Sequence, residues 1–212
     1  MKRPNKLISS IRADLKLFKT YLGIIKAPPI LVYQLGKVGS ASIYHSLDIT
    51  YPGLVRHAHE FNEADPNRKN RQFYTKLFKE KESPIKVIAL VRNPIDRDLS
   101  RFFQDLKQIV GAYKYHTLDI SFNELQDKLL QTANQDYVVS WFDNNIKQNF
   151  GIDVFSEGFS DSGHQTYNNK NIDLLVMRAE ISDNDKENAI KDFLDFKDFK
   201  LERYNITADK KT

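Results

Sequence analysis

Uninterrupted apolar runs constrain this chain more than any other feature. Ile30-Leu31-Val32, Val87-Ile88-Ala89-Leu90-Val91 and Leu174-Leu175-Val176-Met177 contain no polar residue. A strand with one wet face alternates apolar and polar side chains, whereas a run without polar positions must be covered on both faces. Turn residues and helical spacing follow each run. The pattern predicts strands over residues 30–35, 53–58, 85–91 and 172–177. Helices are predicted over about 40–48, 95–109 and 184–196, with two more over 121–132 and 136–149. Strands alternating with helices give a parallel sheet flanked by helices, because parallel neighbours need a crossover. The expected class is therefore α/β, three layers deep, in a single domain over 29–212.

Residues 1–28 form a separate unit in this reading. Leu7, Ile8, Ile11, Leu15, Phe18, Leu22 and Ile25 recur at threes and fours over 7–25, with Arg12, Lys16 and Lys19 off that stripe. Pro28-Pro29 ends the helix. A basic amphipathic helix suits either packing on its own domain or peripheral attachment to an anionic membrane, and packing is the commoner outcome. No apolar run approaches the roughly 18 residues that span a bilayer. The 212 residues include no cysteine, which removes disulfides and thiolate metal sites and fits a reducing cytoplasm, with attachment at the inner face of a membrane as the peripheral option. The net charge of +4 suits an anionic ligand. The Lys and Tyr residues do not form the basic-aromatic stripe of a nucleic-acid binder. The polar stretches 60–83 and 156–171 read as a solvated excursion and a loop.

Chemistry concentrates where two of the runs end. After Ile30-Leu31-Val32 comes Tyr33-Gln34-Leu35-Gly36-Lys37-Val38-Gly39-Ser40-Ala41-Ser42. A Walker A motif would need Ser or Thr directly after the Lys, and Val38 stands there. What remains is P-loop-like: a strand end, a tight turn, and a helix N-terminus whose free N–H groups suit an anion. Lys37 adds a charge, and Ser40 and Ser42 add donors. After Val87–Val91 comes Arg92-Asn93-Pro94-Ile95-Asp96-Arg97-Asp98-Leu99-Ser100. Arg92 lies at a strand's carboxyl end, where open sheets place ligands, and Pro94 suits the first turn of the next helix. A structural partnership of Arg92 with Asp96 or Asp98 is the bland alternative. The two loops together read as two anion pockets, fit for a nucleotide with phosphates at both ends.

These segments resemble the sulfotransferases that use 3′-phosphoadenosine 5′-phosphosulfate (PAPS). Lys37-Val38-Gly39-Ser40-Ala41-Ser42 is similar to their 5′-phosphosulfate loop, nearest to that of carbohydrate sulfotransferases. Arg92 and Ser100 stand at the spacing of their 3′-phosphate motif. Leu174–Met177 with Arg178-Ala179-Glu180 resembles a later strand of the family. Trp141-Phe142-Asp143 and Phe150–Phe155 resemble bacterial capsular polysaccharide synthesis proteins. The resemblance spans residues 29–197. Gln34-Leu35-Gly36 replaces an aromatic or apolar residue and Pro, and Ala41 replaces a Thr, with Ser42 as the nearest substitute hydroxyl. The resemblance implies cofactor binding by Lys37, Val38, Gly39, Ser40, Ala41, Ser42, Arg92 and Ser100, without a metal.

Sulfuryl transfer needs a cation at the leaving phosphate and a base for the acceptor hydroxyl. Lys37 fits the first role. For the second, His57 and His59 fall on one face of the second strand, and some glycan 2-O-sulfotransferases carry a His-x-His at the comparable place. His57, nearer the strand, is favoured, and Glu60 is the reserve. Two His without a third clustered ligand fall short of a zinc site. Trp141 reads as core, with an aromatic platform for sugar as the lesser option. The expected activity is sulfation of a hydroxyl on a glycan or glycolipid in capsular or cell-surface polysaccharide synthesis. The rivals are a nucleotide-dependent kinase or NTPase, and a non-catalytic protein that binds anionic glycans or membranes.

Overall fold

A computed structural model describes residues 27–60, 84–117, 119–156 and 158–204, together with Leu15 and Phe18. The helix expected over 7–25 lies outside the described residues apart from those two, which are helical and exposed. Most of the excursion expected over 60–83 also lies outside them.

Five strands form one sheet: β1 (Ile30–Tyr33), β2 (Val55–Ala58), β3 (Ile85–Val91), β4 (His164–Asn169) and β5 (Ile172–Arg178), in the order β2-β1-β3-β5-β4. β2, β1, β3 and β5 run parallel, and β4 runs antiparallel to β5. The three central strands are those with uninterrupted apolar runs, and nearly every residue of those runs is fully buried. Helices follow the strands: α1 (Ser40–Thr50), α2 (Pro94–Val110), α3 (Ala112–Thr117), α4 (Phe122–Thr132), α5 (Gln135–Phe142) and, after β5, α7 (Asp183–Leu194). Between α5 and the short α6 (Gln148–Phe150), Asp143–Lys147 forms a π-helical turn. The α/β class with a mostly parallel sheet is thus as expected. No helix among the described residues is long and apolar enough to cross a membrane.

Two elements differ from expectation. The stretch 156–171 is not all loop, since it contains β4. Its sequence His-Gln-Thr-Tyr-Asn-Asn carries one buried residue, Tyr167, so no apolar signal marks it. As an antiparallel edge strand it needs only one partner and tolerates a wet face. Lys170, at φ 55°, makes the tight connection into β5. The second difference is α3, whose 6 residues are too few to show a helical period and none of which is buried.

Capping separates α1 from the four other helices of eight or more residues. Asn93 caps α2, Ser121 caps α4, Asn134 caps α5 and Ser182 caps α7, each accepting from N–H groups of its first turn. α1 begins at Gly39, in left-handed geometry at φ 84°, with no side-chain cap. Its first N–H groups are left for another acceptor.

Candidate functional site

The β1–α1 turn is built from residues that tolerate unusual backbone. Lys37 has φ 75° and Gly39 has φ 84°. A left-handed Lys costs about 1–3 kcal/mol unless its surroundings hold it. Two arginines do so. Arg92 Nη1 donates to Lys37 O at 3.0 Å, and Arg97 Nε donates to Gly36 O at 3.2 Å. The loops that end β1 and β3 are thereby tied together. They border a cleft of about 570 Å³. Lys37, Ser40, Arg92 and Ser100 line it, joined by Arg101 and Tyr204.

Arg97 is 3 % exposed and pairs with the buried Asp98 at 2.6 Å. Asp98 also accepts from Gln135 Nε2 at 2.6 Å, which links the loop to the start of α5. Arg92 has a loop carbonyl as its partner, not the Asp96 or Asp98 carboxylate considered from the sequence. Arg97 was not among the expected site residues. Its sequence signal was its place as the second arginine of the Arg-Asn-Pro-x-x-Arg-x-x-Ser segment that begins at Arg92.

Both expected histidines line the cleft, with ring centroids 4.7 Å apart. The sheet register that pairs Val32 with His57 brings β2's end beside Gln34. The Gln34 amide donates to His57 Nε2 at 2.9 Å, so the ring proton sits on Nδ1. Ser40 Oγ lies 3.0 Å from the same nitrogen, and Tyr44 stacks on the ring at 5.4 Å. Burial first, and His59 second, lower the His57 pKa to about 4. His59 is placed differently. Its Nδ1–H donates to Gln34 O at 2.8 Å, which leaves Nε2 as a lone-pair acceptor on an exposed ring. Trp141 Nε1 donates to His59 O at 3.0 Å and so fixes the backbone there. Trp141 is 1 % exposed and packs on Tyr33, which makes it core and not a platform. Tyr137 OH donates to Glu60 Oε1.

The remaining loop residues divide by direction. Val38 is buried in the core. Ser42 Oγ accepts from Tyr204 N at 3.0 Å and lies 3.4 Å from Tyr204 O. Its hydroxyl thus engages the backbone of Tyr204, while Gly39, Ala41 and Ser42 itself line the cleft. One turn later Ser46 Oγ accepts from Glu202 N at 2.9 Å. Nothing in the sequence announced this docking of residues 201–204 along α1. Among the described residues, no group of three or more His, Asp or Glu is arranged to hold a metal ion.

The family model described as "Putative capsular polysaccharide synthesis protein" matches residues 116–212. That span holds α5, β4, β5 and α7 but neither phosphate-type loop. The match is consistent with a role connected to polysaccharide. No curated protein and no solved structure matches the chain.

Proposed function

We propose that the protein is a PAPS-dependent sulfotransferase acting on a carbohydrate hydroxyl. One observation carries the reading: two strand-end loops, one with a lysine and an uncapped helix and one with an arginine and a serine, meet in a single cleft. The donor set fits a nucleotide with a phosphate at each end. Lys37 and the free N–H groups of α1 suit the 5′-phosphate side. The remaining N–H groups of Arg92, with the Ser100 hydroxyl, suit the 3′-phosphate. The partial family match to capsular polysaccharide synthesis favours a glycan acceptor.

Bound PAPS would supply a sulfuryl group joined to a phosphate leaving group. His59 is the better base of the pair, because His57 Nε2 is engaged by Gln34 and Ser40. In this reading His59 Nε2 takes the acceptor hydroxyl's proton as the acceptor oxygen bonds to sulfur. Lys37 stabilises the charge left on the phosphate oxygen when the sulfur–oxygen bond breaks. Gln34 holds the required His59 tautomer through its carbonyl.

Thermal-shift measurements without magnesium test the cofactor. Adenosine 3′,5′-bisphosphate should raise the melting temperature more than ATP does, since ATP lacks a 3′-phosphate. Arg92→Ala should weaken adenosine 3′,5′-bisphosphate roughly tenfold to a hundredfold, the range for a charged hydrogen bond. Adenosine 5′-monophosphate should lose less, namely only what the freed Lys37 carbonyl costs the loop. Equal stabilisation by ATP and the bisphosphate would refute the reading.

A further inference from the structure

Beside the cationic cleft lies a second pocket of about 350 Å³, within the usual range for small-ligand sites. Glu60 and Tyr137 line it, together with Asn144 and Asn145 of the π-helical turn and Gln148 and Asn149 of α6. π-turns inside α-helices occur often at functional sites. Here Asn144 and Gln148, four residues apart, present exposed amides to the pocket. Asn149 adds a third, half-buried amide. The wall behind them is fixed. Asn145 is buried, accepts from Tyr33 OH at 2.8 Å and donates to Trp141 O at 3.0 Å. Asn149 Nδ2 donates to Asn145 O at 2.8 Å, which leaves its Oδ1 toward solvent or ligand. Asn144 Oδ1 and Gln148 Nε2 share only a long contact of 3.4 Å.

The lining chemistry of the two sites is opposite. The cleft gathers Lys37, Arg92, Arg97 and Arg101, whereas the pocket has no cation among its lining residues. Its one ionisable acid is Glu60, held by the Tyr137 hydroxyl. Burial, then Glu60, pushes the Tyr137 phenol up to about 12, so it remains a donor. Side-chain amides offer donors and acceptors without charge, which matches hydroxyl groups that also do both. A carboxylate at this wall disfavours acidic ligands.

We propose that this amide-lined pocket binds the acceptor glycan and selects uncharged sugar units. Its role as acceptor subsite rests on the sulfotransferase reading; its binding of neutral glycan does not. The two sites adjoin through the chain itself. Glu60 follows His59, and Trp141, which edges the pocket, holds the His59 carbonyl. A hydroxyl at the near end of the pocket therefore borders the residue assigned as base.

Saturation-transfer NMR on the full chain would test this with three probes: maltotetraose, chitotetraose and tetragalacturonate. At least one neutral tetrasaccharide should bind, and the uronate should not. The double variant Asn144→Ala/Gln148→Ala should weaken neutral binding about tenfold to a hundredfold, as expected for two neutral hydrogen bonds. Both side chains are exposed, so its melting temperature should match the parent's. Gln148→Lys should gain binding of tetragalacturonate. Parental affinity in the double variant, uronate binding equal to neutral binding, or no neutral binding at all would overturn the proposal. Adenosine 3′,5′-bisphosphate titrated into the same samples separates the two claims. Nucleotide binding without neutral-glycan binding sinks this proposal alone. Amide-dependent glycan binding without nucleotide binding supports the pocket and sinks sulfuryl transfer.

Discussion

Acid should destabilise this protein through His57 before most of its carboxylates titrate. In the folded chain its pKa is about 4, against 6.5 for the free side chain, because burial and then His59 oppose the charged form. The neutral ring also accepts from the Gln34 amide, and a protonated ring would have no lone pair for it. The folded pKa is the lower one, so between the two values the unfolded chain binds a proton that the folded chain does not. Stability from this group is therefore full above about pH 6.5 and declines as pH falls toward 4. One group shifted by that amount removes about 2 kcal/mol near pH 5 and about 3 kcal/mol in full. Urea unfolding of the parent and of His57→Gln, from about pH 7.5 to about pH 5, measures it. Gln cannot titrate, so the stability difference between the two proteins should move by about 2 kcal/mol in favour of the variant across that range. A difference constant to within about 0.5 kcal/mol would refute the argument.

Two further perturbations probe the loop. Lys37→Gly removes the charge and relieves left-handed strain of about 1 kcal/mol. Its melting temperature should equal or exceed the parent's, and on the proposed function sulfuryl transfer should fall about 10²–10³-fold; a melting point several degrees lower would show instead that the side chain holds the turn. Asp98→Ala leaves the Arg97 guanidinium buried without its carboxylate and should cost about 3–5 kcal/mol in urea unfolding. A loss below about 1 kcal/mol would mean that Gly36 O suffices as Arg97's partner.

The sequence showed most clearly what burial enforces. β1, β3 and β5 were legible because full coverage leaves no place for polar residues. β4 was illegible because an edge strand whose one buried side chain is Tyr167 carries no such demand. At the site, Lys37, Arg92 and Ser100 stood out because they follow apolar runs and flank turns. The relative standing of the two histidines could not be read in the same way. It depends on Gln34, which reaches His57 with its amide and His59 with its carbonyl across 23 and 25 residues. Sheet register creates that contact, and no local pattern encodes it. Arg97 holds a motif position, but its task was equally hidden, since it grips a backbone carbonyl 61 residues away.

The docking of residues 201–204 on α1 has the character of a vernier. Ser42 meets Tyr204 and Ser46 meets Glu202, so four helical residues are matched to two of a segment without regular structure, running in opposite directions. Four helical residues advance about 6.0 Å and two extended residues about 6.6 Å. The two scales agree closely enough for a pair of rungs and drift by about 0.6 Å with each further one. A third rung would fall at Thr50, and there the hydroxyl turns back to Ser46 O at 2.8 Å. The attachment therefore closes where α1 does: Thr50 is the last residue of the helix, and its hydroxyl is taken up within it. Two rungs fit the matched scales, and the helix terminus ends the series.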